Sequence, residues 1–402
     1  MQYRTTKREV LFLSIYTVYL IVLILSQTAF EEMGSMASIF KYVRYLCYLL
    51  AAVMIVQDSF KEKQIWGVAI LGVLTAGTVV CSGNSTFILY LIMILAAKDL
   101  NVQTIVKVTC FLQGLMLFVI ISFAKIGIIP DYIFDSTTRQ RHGLGFLWTT
   151  TSAIMFFYFI VLYIYLRKER AHILEYVVLE GINYLLYQQT DARMSFYLST
   201  LLLVYVFIMR LYWQNRKDRI RKNRWLILAP AFMCMVALCI QIFYIPTDPN
   251  WQKINSVLSG RLELGYNGWQ KYGFSLLGTK IEWIGFSHNA TAGTYNYVDC
   301  SYMQILLENG VIPLIIIVAV YTYIMYMAVK EKDFYLQTAV LVIVAFSITE
   351  PRLMNLAYNP LPFFGVTYIS LKAKGTLFAK EHHVLNRRVR FQTTRLRLRN
   401  RR

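Results

Sequence analysis

Charge is what this sequence has least of. Of 402 residues, only 16% are Asp, Glu, Lys or Arg, against about a quarter in an ordinary soluble domain. The deficit excludes a large water-soluble domain, and a mean hydropathy of +0.47 agrees. Acid is scarcer than base: 22 Asp and Glu stand against 41 Lys and Arg, for a net charge of +19. Cysteine is sparse too. Cys47, Cys81, Cys110, Cys234 and Cys239 fall inside apolar runs, and Cys300 lies beside a polar stretch. Nothing in their spacing resembles a disulfide framework or a paired metal-ligand motif. The sequence also lacks a fixed-period repeat, a glycine-rich phosphate loop and a Ser-His-Asp arrangement with local signals. Enzyme classes built on those devices drop out.

Apolar runs of about 20 residues, the length that crosses a bilayer, recur along the chain instead. They predict spans over 10–30, 39–57, 64–82, 86–97, 104–125, 146–166, 173–188, 195–211, 225–244, 303–329, 334–348 and 361–371. The fold class expected is therefore an all-α polytopic membrane protein with about 12 transmembrane helices. The first run lacks a small-residue cleavage site and is followed by further spans, so it is expected to remain in the mature protein. The weakest spans are 86–97, 173–188, which carries Glu175 and Glu180, and 361–371. The domain organisation expected is a transmembrane domain over 1–371, a large loop at 245–302 within it, and a basic tail over 372–402.

The basic residues are unevenly placed. Most lie in short loops at alternate ends of the spans and in the tail, which is the positive-inside pattern. It puts both termini in the cytoplasm and the 245–302 loop outside a cell membrane. The tail holds eleven basic residues and one acid, Glu381. It reads as a solvated segment drawn to anionic inner-leaflet lipid, at ~1 kcal/mol per cation. No aromatic-rich folded module accompanies the charge, so no nucleic-acid partner is expected.

The stretch from Ile245 to Tyr302 is the longest polar interval between apolar segments. Because unpaired charge is costly in lipid, polar chemistry belongs in such a loop. Five arginines sit in loops on the same predicted side: Arg139, Arg141, Arg193, Arg261 and Arg352. Arginine matches phosphate bidentately and keeps its charge. Converging over one cavity, these side chains would neutralise a pyrophosphate without a metal ion; alternatively each binds a lipid headgroup or flanks a span. Asp299, just before a span, reads either as a helix cap or as a general base. His288 is the alternative base, since its ordinary pKa is near neutral. Glu263 is a candidate partner for Arg261. Trp251, Trp269, Trp283, Tyr266 and Tyr272 offer faces for sugar rings or anchors at the membrane interface.

The run Ser259-Gly260-Arg261-Leu262, then Gly265-Tyr266, Tyr272-Gly273 and Leu277-Gly278, resembles the signature of bacterial O-antigen and capsule polymerases of the Wzy type. Tyr297-Val298-Asp299-Cys300-Ser301-Tyr302 through Asn309-Gly310 is similar to the stretch just C-terminal to that signature in the family. Arg141-His142-Gly143-Leu144-Gly145-Phe146 and Thr190-Asp191-Ala192-Arg193 resemble two further outer-loop patterns. Related polymerases and ligases often have His at the position of Asp299.

The resemblance implies a GT-C-like membrane fold without a cofactor. Its substrate would be an oligosaccharide repeat unit on polyprenyl pyrophosphate, polymerised at the outer face with inversion. A flippase and a chain-length regulator of the same pathway would work beside it. Asp299, Arg261 and His288 would be catalytic; Arg193, Arg352, Arg139, Arg141, Tyr266 and Tyr302 would hold substrate. Two other readings are a ligase of the same superfamily and a non-enzymatic flippase. A flippase is expected to carry charge along its spans, which here are nearly uncharged.

Overall fold

A chain in hydrocarbon must satisfy its own N–H and C=O groups, and long apolar runs do so as helices. The computed structural model describes residues 6–58, 62–136, 139–214, 224–285 and 295–373. The first half contains α1 (Lys7–Leu25), α2 (Met36–Val56), α3 (Glu62–Ser82), α4 (Thr86–Ala96), α5 (Val102–Lys125), α6 (Thr151–Arg167), α7 (Ile173–Thr190) and α8 (Arg193–Gln214). The second half contains α9 (Ala229–Ile242), α10 (Pro249–Val257), α11 (Arg261–Tyr272), α12 (Ser301–Glu308), α13 (Val311–Lys330), α14 (Phe334–Phe346) and α15 (Pro362–Ala373). A small antiparallel hairpin, β1 (Ile133–Ser136) and β2 (Arg139–His142), interrupts the helices between α5 and α6.

Among the described residues, eight helical segments are long and apolar enough to cross a membrane, those built on α1, α2, α3, α5, α6, α8, α9 and α13. Helices α4 and α14 are apolar but shorter. The outward faces are greasy: Val56 and Val80 are each 84% exposed, and Phe118 is 71% exposed. So much exposed hydrocarbon fits lipid contact and would be a liability in water. The protein is a multi-pass membrane protein.

Inside, packing is close. Helix α5 lies on α6, where Gly114 lets the Phe159 ring approach to 2.9 Å of the place a Cβ would occupy. Small residues at such contacts let membrane helices approach without a hydrophobic driving force. Phe12, Tyr16 and Phe363 form edge-to-face pairs between α1 and α15.

Two features differ from the sequence expectations. The predicted span over 303–329 is two helices, α12 and α13, broken at Asn309-Gly310. The break is enforced by the loop, which crosses it at Ser275–Thr279. Val311 N–H donates to Ser275 O at 3.0 Å, Ile312 N–H to Leu276 O at 3.1 Å, and Thr279 N–H to Glu308 O at 3.2 Å. Those bonds replace the helical partners lost at the break. Gly278 and Gly310 have φ of +100° and +98° at this crossing. A Cβ on Gly278 would lie 2.1 Å from Glu308 O, so the approach requires glycine. The 245–302 stretch is also more ordered than a polar loop need be: α10 and α11 lie within it, and α11 packs on α9 and α12.

The second is the burial of segment 347–361 between α14 and α15, which is non-helical where the sequence predicts a loop. Leu353, Leu356, Ala357, Tyr358 and Asn359 in it are buried. Irregular backbone is tolerated inside a bundle only when protein satisfies it. Here Gln113 of α5 donates to Ala357 O and Tyr358 O, at 2.7 and 2.9 Å. Tyr321 donates to Leu353 O at 3.1 Å, and Ser301 donates to Glu350 O at 2.5 Å. The segment is pinned to α5, α12 and α13, and it carries Glu350 and Arg352.

Candidate functional site

Helix α1 ends, α2 begins, and α9 hands over to the large loop at one end of the bundle. The other polar connections gather there. Asn84 donates to Glu308 at 2.6 Å, Ala29 N–H donates to Gly145 O at 3.0 Å, and Arg141 Nε donates to Thr190 O at 2.8 Å.

Arg261 is the first residue of α11, after Ser259 (φ +56°) and Gly260 (φ +82°). This tight left-handed corner is held by Asn255 at the end of α10. Asn255 O accepts from Gly260 N–H at 2.8 Å, and its side-chain oxygen accepts from Leu262 and Glu263 N–H at 3.1 and 3.3 Å. The amide thereby caps two of the free N–H groups of α11. The corner aims Arg261 inward, where Nε meets Asp299 Oδ2 at 3.4 Å and a terminal nitrogen meets Glu350 Oε1 at 3.0 Å.

Two readings of Arg261 and Asp299 are corrected. Glu263 is not the partner of Arg261: its carboxylate accepts from Asn255 Nδ2 at 3.3 Å. Residues two apart on a helix do not face one another. Asp299 does not cap α12, whose cap residue is Cys300, without a side-chain bond. The first N–H of α12, from Ser301, instead donates to Ser347 O at 2.9 Å.

The result is one guanidinium between two carboxylates. Side-chain exposure is 16% for Arg261, 23% for Asp299 and 7% for Glu350, so the carboxylate reachable from outside is Asp299. Burial pushes Glu350 up to about 7, with Arg261 pulling it down and Asp299 raising it further. Burial also holds Asp299 above the usual carboxylate range, against the pull of Arg261 and then Arg352. Arg261 stays firmly charged: burial works against it, but Glu350 and Asp299 together outweigh that. A carboxyl pair tuned toward neutral pH is suited to moving a proton.

Arg352 follows Glu350 by two residues. It approaches Gln27 Oε1 at 3.5 Å and lies 5.2 Å from the centre of the Tyr358 ring. Its Nε is buried and has no hydrogen-bond partner among the described residues. It faces a cavity of 450 Å³ between α1, α2, α4, α12 and the 351–356 stretch. Lys41, Arg44, Tyr297, Gln304 and Glu308 also line that cavity.

The other sequence candidates fall elsewhere. Arg193 pairs with its neighbour Asp191 at 3.2 Å, at the turn that also receives Arg141. Arg139 pairs with Ser136 in the hairpin register. The five arginines therefore belong to two groups, one at the α7–α8 turn and hairpin, the other around the carboxylates. Tyr266 packs edge-on to Tyr244 on the loop. Tyr302 is corrected: it is 1% exposed, and its hydroxyl donates to Val344 O at 2.8 Å, so it is a core residue of α12. Position 288 lies outside the described residues. Among the described residues, no three His, Cys, Asp or Glu side chains gather as metal ligands would.

Sequence reasoning missed Glu350, Lys41 and Arg44. Glu350 followed an apolar run and looked like its boundary. Lys41 and Arg44 were absorbed into a span, although two cations three residues apart share one helix face. No family model, no curated protein and no solved structure matches this chain.

Proposed function

We propose that the protein is a polysaccharide polymerase. It joins oligosaccharide repeat units carried on polyprenyl pyrophosphate, at the outer face of the cell membrane. In this reading α4, α7, α14 and α15 complete twelve crossings, both termini are cytoplasmic, and the 245–302 stretch roofs the site from outside. The observation that carries the proposal is the juxtaposition of the Asp299–Arg261–Glu350 cluster with a cavity lined in part by Arg352, whose buried Nε has no partner among the described residues.

The chemistry is a single displacement. Asp299 takes the proton from an acceptor sugar hydroxyl. The oxygen attacks the anomeric carbon of the donor glycan, the carbon–oxygen bond to the pyrophosphate breaks, and the electron pair leaves with polyprenyl pyrophosphate. Attack opposite the leaving group inverts the anomeric centre. Charge develops on the pyrophosphate, and a fixed guanidinium stabilises it most effectively where water is excluded. Arg261 orients the base and Glu350 tunes it.

The deciding experiment is chain-length analysis of lipid-linked glycan in a deletion strain. Single repeat units outside the membrane are the expected result. Long chains retained on lipid would indicate a ligase, and units trapped inside would indicate a flippase; either overturns the polymerase. Purified enzyme is expected to keep elongating in EDTA, since arginine supplies the charge neutralisation. Activity lost to EDTA and restored by magnesium or manganese would refute that role.

A further inference from the structure

The arginine in the most distinctive sequence motif is poorly placed to bind an anion. Arg261 already answers two carboxylates. Arg193 answers Asp191, and Arg141 answers Thr190 O. An incoming pyrophosphate would have to displace those partners. The cavity beneath the loop offers the opposite situation: Lys41, Arg44 and Arg352 line it against one carboxylate, Glu308. Among the described residues, no carboxylate lies within ion-pair distance of Lys41, Arg44 or Arg352. Glu31 feels the charge of Arg44 only through space. Glu308 already accepts a hydrogen bond from Asn84, just before α4. Among the described residues the Arg352 Nε is a buried donor with no acceptor, an unfavourable state that a bound anion would relieve.

We infer that this cavity is a diphosphate subsite, clamped by Lys41 and Arg44 of α2 from one side and by Arg352 from the other. The inference rests on the polymerase reading and gives its leaving group a place. Lys41 and Arg44 are three residues apart, so they present two cations from one helix face. Arg352 comes from the pinned 347–361 segment and is held by Gln27 and the Tyr358 ring. The volume, 450 Å³, is that of a small-ligand pocket. A diphosphate diester carries one negative charge on each phosphoryl group. Three cations against one carboxylate therefore match it better than a neutral or singly charged headgroup. The cavity sits among α1, α2 and α4, so the prenyl chain would run down beside those helices while the glycan meets Asp299.

The test is binding to purified protein in nanodiscs, followed by intrinsic tryptophan fluorescence and by thermal unfolding. The probes are farnesyl pyrophosphate, inorganic pyrophosphate, farnesol and phosphatidylglycerol. Farnesyl pyrophosphate is expected to bind and stabilise the protein, and farnesol is not. Arg44→Gln and Lys41→Gln are each expected to weaken farnesyl pyrophosphate about tenfold or more, the scale of one charge-assisted hydrogen bond. Both should leave ligand-free unfolding unchanged. Inorganic pyrophosphate competing with the same dependence on Lys41 and Arg44 supports recognition of the diphosphate itself, whichever molecule brings it. Equal competition by phosphatidylglycerol would overturn the proposal, since an ordinary headgroup would then suffice. Binding indifferent to both substitutions would also overturn it. Glycan elongation, measured separately, distinguishes the two failures. Binding that needs Lys41 and Arg44 without any elongation retires the polymerase and leaves the subsite. Elongation that persists when binding ignores Lys41 and Arg44 retires the subsite and leaves the polymerase.

Discussion

Arg261 holds together two carboxylates that would repel each other without it, and that changes what a substitution there should do. Arg261→Ala leaves Asp299 and Glu350 buried without their shared cation. Breaking such a pair costs about 3–5 kcal/mol, so both elongation and membrane abundance are expected to fall. Arg261→Lys should recover abundance better than elongation, because a single ammonium cannot hold two carboxylates in the geometry of a planar fork. Glycan length and protein level measured together check this; full elongation in Arg261→Ala would remove the residue from the site. Glu350 gives a second handle. Its folded-state value, about 7, lies above the ordinary 4.5. The folded protein therefore binds this proton more tightly than the unfolded chain does. That contribution to stability is complete below the ordinary value and fades as pH rises through about 7. Activity should run the other way, with kcat/KM climbing as the two carboxyls beside Arg261 give up their protons. In Glu350→Gln the limb should move to lower pH, because Asp299 loses a neighbouring negative charge. A pH–rate profile unmoved by Glu350→Gln would show that the pair does not titrate as a unit.

Helix breaks do at the scale of elements what the arginine does at the scale of residues. The span that begins at the roof is split at Asn309-Gly310, and the loop threads through the gap. The split lets Glu308 and Asn309 face the cavity while α13 continues as a helix long and apolar enough to cross a membrane. Gly278→Ala is expected to be strongly destabilising. A positive φ alone costs ~1–3 kcal/mol for a side-chain-bearing residue, and the new Cβ would overlap Glu308 O at 2.1 Å. Gly67→Ala on α3 is the comparison, since a Cβ there meets nothing within 4 Å. In detergent, Gly278→Ala should melt well below wild type and Gly67→Ala close to it. Equal melting of the two variants would mean that the crossing does not hold the break.

Across the whole molecule, the ion pairs among the described residues gather at the two ends, and mostly apolar side chains lie between them, with Glu180, Asn183 and Thr200 hydrogen-bonded midway along α7 and α8. At the end opposite the site, Arg8 pairs with Asp58 at 2.7 Å and Lys168 with Asp333 at 2.6 Å. The orientation of these ends in the membrane is the premise of the proposed mechanism. In a cysteine-free background, cysteine at Asn267, an exposed position on α11, should react with an impermeant reagent from outside. Cysteine at Glu169, exposed at the opposite end, should not. The reverse pattern would place Asp299 and Arg352 in the cytoplasm and defeat the mechanism.

The sequence by itself determined the class of molecule, because apolar run length and charge scarcity respond directly to the solvent a helix meets. It also marked Arg261, Asp299 and Arg352, since charged residues beside membrane spans stand out against an apolar background. Only the tertiary structure decided how they are partnered. Arg261 and Glu350 lie in segments far apart along the chain, and pairing them required α11 to turn in at the Ser259-Gly260 corner. Lys41 and Arg44 share one helix face, as cations at a membrane interface also can; only the 347–361 segment, folding back into the bundle, sets Arg352 on the same cavity. Tyr302 shows the converse. It sits in a polar-looking motif, yet helical periodicity turns it toward Val344 and the core. Local chemistry determines which residues are costly to place in a membrane; long-range packing decides which of them share an ion pair or a cavity.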